Sequence, residues 1–167
     1  GRNAVLDMMR VIAAVEDMAL PSDPLLGPAI IALTDIVSDP FPGNSVIPSQ
    51  CRVTYDRRLI PGETRDEVLE QIRTLPGVQG VNLDVRIGLG EYSAWTGALA
   101  QAEKFFPAWT LDANHPVVQH ALRALQDIGQ APKRATWRFC TNAAWSAGGA
   151  DVPTIGYGPA DEPDIHI

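Results

Sequence analysis

Cysteine is scarce in this chain. Cys51 and Cys140, 89 positions apart, form no CxxC pair and no disulfide framework, so reduced, buried thiols are expected rather than a stapled secreted scaffold. Histidine is nearly as rare, and His115, His120 and His166 stand at no chelating spacing. Structural zinc takes about four protein ligands and catalytic zinc about three plus water, so any metal bound here needs ligands from elsewhere. Positive charge is in deficit: 13 Lys and Arg against 20 Asp and Glu leave a net charge of -7, the wrong sign for a phosphate backbone, which excludes nucleic acid as a partner. No apolar run approaches the ~18 residues of a membrane span, no leader is visible, and there is no repeat or low-complexity tract. A soluble, cytoplasmic protein with no membrane partner is the expectation.

What is present suffices for real cores. Apolar residues make up 46% of 167 positions, room for one ordinary domain or two small ones. Val5, Met8, Met9, Ile12, Val15 and Ala19 recur at three- and four-residue steps, which predicts a helix over 3–19 that Asn3 caps and Pro21 follows. A β-branched run from Ala29 to Val37 and an extended stretch from Val46 to Ile60 flank the Pro/Gly-rich Asp39-Pro-Phe-Pro-Gly43. Thr64-x-x-Glu67 is a capping box opening a helix that buries Val68, Leu69, Ile72 and Leu75 and that Gly77 ends. Val81, Leu83, Val85 and Ile87 alternate with Asn82, Asp84 and Arg86, the pattern of a half-buried strand.

That α-β-β-α-β order is a βαββαβ open sandwich lacking its first strand. Without that strand its neighbours expose backbone groups, each buried unpaired one costing ~1–3 kcal/mol. Two sources for it are open: another molecule, or a longer polypeptide. From about Tyr92 the texture changes to an aromatic- and Ala-rich connection, which places a boundary at 91/92. His115-Pro116 then opens a helix with Val117, Val118, Ala121, Leu122, Leu125 and Ile128 as its stripe and Gly129 at its end. A strand near 135–139, a short helix near 143–147 and a strand ending at Ile155 suggest a βαβ piece of a parallel sheet, with functional loops at strand ends. The last strand runs into a Gly/Pro/acid-rich loop that delivers His166, a common way to present a zinc ligand; a solvated terminal imidazole is the plainer alternative.

Other candidates carry two readings each. Arg58 shares strand parity with Arg52, Thr54 and Asp56, which suits a salt bridge or a fork gripping a substrate carboxylate. Arg57 falls on the apolar-face parity. Asn44 suits a turn after Gly43. Thr141 and Asn142 suit the N-cap of the following helix. His115 reads as a helix-entry residue, His120 as a surface position, and Trp137 and Trp145 as core.

Four segments in order carry a resemblance: Gly1-Arg-Asn-Ala4, Asn44-Ser-Val-Ile-Pro48 with Asp56-Arg57-Arg58-Leu59, Trp137-Arg-Phe-Cys-Thr141-Asn142, and Pro153-Thr-Ile-Gly-Tyr-Gly-Pro159 before His166. They resemble the co-catalytic zinc peptidase and amidohydrolase superfamily of aminoacylases, succinyl-diaminopimelate desuccinylase and glutamate-releasing carboxypeptidases. The wording around Phe105-Phe-Pro-Ala-Trp109 is similar to the branch linked to selenium metabolism. The resemblance implies a lid or dimerisation domain over 1–91, incomplete at its amino end, and the α/β carboxy-terminal portion of a catalytic domain over 92–167. It implies hydrolysis of an amide bond, in a peptide or an N-acyl amino acid, by two zinc ions per complete site, with cobalt or manganese as alternatives. His166 is the implied metal ligand, Asn44 the oxyanion donor, and Arg58, Thr141 and Asn142 the binders of a carboxylate-bearing substrate. A homodimer through the lid is implied as well.

No His-x-Asp motif and no Glu-Glu dipeptide occur in the chain. The resemblance therefore implies a fragment, inactive alone and holding little or no metal. A noncatalytic α+β dimerisation or interaction module is the alternative.

Overall fold

The computed structural model describes residues 1–158. Their order is α1 (Ala4–Glu16), β1 (Ser22–Asp23), β2 (Gly27–Pro28), β3 (Ile30–Asp39), β4 (Gln50–Arg58), α2 (Arg65–Arg73), a 3-10 turn (Pro76–Val78), β5 (Leu89–Ser93), β6 (Leu99–Glu103), α3 (Pro116–Asp127) and α4 (Ala143–Ser146). The fold class is mixed α+β. Two compact units divide the described residues: Gly1–Pro21, Ala29–Arg57 and Glu63–Phe105 form the first, and Ser22–Pro28, Arg58–Gly62 and the described residues from Phe106 onward form the second.

In the first unit α1 starts where Asn3 Oδ1 accepts the Val5 N–H at 3.0 Å, which satisfies one of the free donors of a helix start. Its three- and four-residue spacing puts Met8, Val11 and Val15 inside. Val15 is 1% exposed, and burying one valine stabilises by about 1.5–3 kcal/mol. With Val78 these residues form the core, ringed by Ile31 of β3, by Cys51, Val53 and Tyr55 of β4, and by Ile72, Leu75, Val81 and Leu83. β3 pairs with β4 in a two-stranded sheet.

The expected capping box is formed. Thr64 Oγ1 accepts the Glu67 N–H at 3.4 Å, and Glu67 Oε2 accepts the Thr64 N–H at 3.0 Å. Hydrogen bonds from the Thr64 hydroxyl and then its amide hold the Glu67 carboxyl below the usual carboxylate range. Helix α2 buries Val68 and Leu69 but stops earlier than expected, at Thr74 instead of Gly77. The Thr74 hydroxyl donates to the Glu70 carbonyl at 2.8 Å, and Pro76, which lacks an amide hydrogen, sends the chain into the 3-10 turn.

Residues 81–87 show the predicted alternation, half-buried at Val81, Leu83, Val85 and Ile87 and exposed between them. Among the described residues they pair with no strand. The connection expected from Tyr92 is instead an antiparallel hairpin, β5 on β6, with Leu89 opposite Glu103 and Ser93 opposite Leu99. Both its faces meet solvent, with Leu89 60%, Leu99 84% and Trp95 98% exposed, so no apolar alternation announced it. Gly97 at φ 82 allows its turn. The Arg65 fork grips both Glu103 carboxylate oxygens at 2.6 Å and ties β6 to the start of α2.

The second unit holds the small β1–β2 pair, α3 and α4. His115 Nδ1 accepts the Val117 N–H at 3.2 Å and so caps α3, while Gly129 ends it at φ 81. Of the expected α3 stripe only Val118 is fully buried, and Ile128 is 71% exposed. The strands expected near 135–139 and 152–155, and with them the parallel βαβ piece, are absent among the described residues. Extended segments become strands only when neighbouring backbone takes their hydrogen bonds. Trp145 is 77% exposed, which corrects the core assignment. Cys140 is exposed rather than buried, and Cys51 is half-buried against the core.

Candidate functional site

The second unit gathers the expected substrate-binding residues. Arg58 ends β4 and continues into Leu59–Gly62, and the positive charge of its guanidinium reaches the Cys140 thiol. Partial burial raises the Cys140 pKa, and Arg58 acts in the opposite direction. Cys140 is therefore a protonated thiol, unsuited to nucleophilic duty at neutral pH. Next to it, Thr141 Oγ1 accepts the Ala143 N–H at 3.2 Å and the Thr141 carbonyl accepts the Ala144 N–H at 3.0 Å. Thr141, rather than Asn142, thus supplies the side-chain cap of α4, while Asn142 sits at the cap position with an exposed side chain and no capping bond of its own.

The ground beneath this loop is tightly built. The Val152 N–H donates to the Ser146 carbonyl at 2.8 Å, Thr154 Oγ1 donates to the Val152 carbonyl at 2.8 Å, and it lies 2.9 Å from Ser146 Oγ. A Cβ at Gly148 would lie 2.6 Å from the Ala144 carbonyl oxygen and 2.7 Å from that of Pro107, so glycine is required where α4 ends. Trp137 and Phe139 stack tilted, with ring centroids 6.2 Å apart. Arg58 near Cys140, the Thr141 hydroxyl and Asn142 give a cation and two hydrogen-bonding side chains in one neighbourhood, a chemistry suited to a carboxylate.

Asn44 belongs to the first unit. It lies exposed in the β3–β4 loop, at a left-handed φ of 46 that asparagine tolerates better than most residues. The loop is closed by the Val46 N–H to the Gly43 carbonyl at 2.8 Å and the Ser49 N–H to the Asp39 carbonyl at 3.0 Å. Its peptide bonds before Pro40 and Pro42 are cis. The turn reading of Asn44 is therefore realised.

The His166 assignment lies outside the described residues. Among those described, no group of three His, Cys, Asp or Glu could hold a metal ion. They do not by themselves fit a metal centre.

Parity alone left Arg57 unexplained. The structure buries its side chain to 8% exposure, with Nη2 bonded to Glu63 Oε1 and, at 2.8 Å, to Gln71 Oε1. Arg57 thereby pins the chain entering α2 to the underside of β4, a structural duty that leaves Arg58 as the arginine on the opposite parity. Glutamate and glutamine at 63 and 71 were the available signal.

Comparison with known families decides the first part of the chain, for the model of the peptidase dimerisation domain matches residues 1–82. Residues 1–82 are a peptidase dimerisation domain. The chain is also similar to the uncharacterized protein YgeY of Escherichia coli K12 and to its counterpart in Escherichia coli O157:H7, each 32% identical over 169 residues and 99% of this chain. It spans 42% of the length of these relatives. Among the described residues no helix is long and apolar enough to cross a membrane.

Proposed function

We propose that this chain is part of a metal-dependent hydrolase that cleaves an amide bond in a peptide or N-acyl amino acid. The dimerisation-domain match over residues 1–82 places it with peptidases, and the observation that carries the substrate side is the approach of Arg58 to the Cys140–Asn142 loop. Arg58 grips the substrate carboxylate, and the Thr141 hydroxyl and Asn142 amide complete the hydrogen bonding around it. Asn44, on the dimerisation domain, donates to the oxyanion that develops at the scissile carbonyl. His166 supplies one metal ligand, zinc by preference. With no His-x-Asp motif and no Glu-Glu dipeptide in the sequence, the remaining ligands and the general base are assigned to polypeptide outside this chain. The dimerisation domain ends near residue 91, and the rest belongs to the catalytic domain.

The test uses the longer polypeptide. Arg58→Ala raises KM for a carboxylate-bearing substrate at least ~10-fold with kcat little changed, since a lost charged hydrogen bond is worth about 1.5–3 kcal/mol. His166→Ala lowers both activity and bound zinc, measured by elemental analysis. Unchanged zinc content in the His166 variant refutes the ligand assignment, and a pure kcat effect at Arg58 refutes carboxylate binding.

A further inference from the structure

Gly156 is bare although its backbone does not require it to be. It lies outside the left-handed region, and among the described residues a Cβ placed there would meet one neighbour, Trp137 Nε1, at an ordinary 3.5 Å. Alanine would therefore fit, in contrast to Gly148, where a Cβ runs into two carbonyl oxygens. What the missing side chain does at 156 is leave the edge of the Trp137 indole uncovered, on a residue that is 36% exposed. Phe139 braces the same indole, with its ring tilted by 33° and centred 6.2 Å away. A ring held on one side and open on the other offers a large apolar surface that loses little freedom when it is covered.

The open indole belongs to the same unit as Arg58 and the Cys140–Asn142 loop. Trp137 stands three residues before Cys140, the thiol that the Arg58 charge reaches, and four before the Thr141 hydroxyl. Three residues of chain span at most about 10 Å, so one bound amino acid can have its carboxylate at Arg58 and its side chain toward the indole. The stretch from Lys133 to Arg138 holds three cations and no acid, which disfavours a basic side chain there. An acidic side chain would lose its water against a ring face that returns no hydrogen bond. We propose that Trp137 determines specificity: braced by Phe139 and left open by Gly156, its indole receives the apolar or aromatic side chain of the residue whose carboxylate Arg58 holds. The substrate class is an N-acyl or peptidyl derivative of a large apolar amino acid. This rests on the carboxylate reading of Arg58, and the test separates the two.

Isothermal titration calorimetry of the longer polypeptide with N-acetyl-L-phenylalanine, N-acetyl-L-glutamate and N-acetylglycine reads the preference directly. The phenylalanine derivative binds at least ~10-fold more tightly than the glycine derivative, the discrimination an apolar pocket provides. Trp137→Ala abolishes that preference and Trp137→Phe retains part of it, whereas a merely structural role would weaken all three ligands alike. Gly156→Val, at an exposed position where a Cβ fits, narrows the same ratio by covering the indole without removing it, and so decides the matter if Trp137→Ala does not fold. Arg58→Ala weakens all three ligands and leaves the ratio. Equal affinities in the unaltered protein, no measurable binding of the phenylalanine derivative, tighter binding of the glutamate derivative, or a ratio that survives Trp137→Ala each overturns the proposal. An Arg58 effect without a Trp137 effect overturns it and spares the carboxylate reading; no Arg58 effect overturns both, because nothing then aligns the side chain with the indole.

Discussion

Tyr55 shows how one buried polar atom couples this fold to pH. Strand parity turns its ring onto the core, and its hydroxyl is buried with no hydrogen bond of good geometry, although the Glu16 carboxylate lies close to it. Burial first, and that carboxylate second, push its pKa from 10.0 up to about 12. The folded state thus holds the proton more tightly than the unfolded chain does. The stability this contributes is complete below about pH 10 and is lost as pH rises toward 12. Absorbance titration of the tyrosinate band is expected to show one of the three tyrosines ionising late, and Tyr55→Phe is expected to abolish that late step. A titration with no step near pH 12 would contradict the burial of this hydroxyl. The position of Tyr55 was readable from alternation, and so was the oddness of Arg57. Its explanation was not, because Glu63 and Gln71 reach Arg57 only after α2 has packed.

Elements with a covered face were readable, and elements without one were not. The α1 stripe and the Thr64 capping box report burial and local hydrogen bonding that the residues themselves encode. Hairpin β5–β6 has no covered face, and the extended stretches at 135–139 and 152–155 join no sheet among the described residues, so whether each pairs depends on surroundings that periodicity does not record. Where elements touch, the margin is narrow. A Cβ at Gly77 would stand 2.5 Å from the Ala14 Cβ and 3.4 Å from the Arg10 carbonyl oxygen, with no flexible side-chain end to give way. Gly77→Ala is expected to lift α1 from the turn and cost about 1–3 kcal/mol in urea denaturation, as overpacking does. Adding Ala14→Gly opens the space again, against about 1 kcal/mol of lost helix propensity. The two substitutions are therefore expected to be less damaging together than their sum, and strict additivity would show that the contact is not the cause.

Across the whole molecule, burial is unevenly shared. Among the described residues nine apolar side chains are fully buried, and only Val118 and Ala144 belong to the second unit. The first unit holds the others, with Met8, Val11, Val15 and Val78 in one cluster on α1, whereas α3 buries one residue of its stripe and leaves Ile128 71% exposed. Local opening costs least where few apolar contacts are lost, so the two units are expected to open with different free energies. In the 1–167 chain the amides of α3 should exchange, and its peptide bonds be cut by protease, well before those of α1. The helix pattern of α3 is nonetheless strongly amphipathic, with Val117, Ala121, Leu122 and Leu125 only half-buried, and a partly covered apolar stripe is a sign of surface meant for further polypeptide. The relatives, of which this chain spans 42%, have that further length. In the longer polypeptide the amides of α3 are accordingly expected to rise in protection toward those of α1. If they exchange equally fast in both lengths, the stripe of α3 is not a covered face in the whole protein, and the second unit is intrinsically loose.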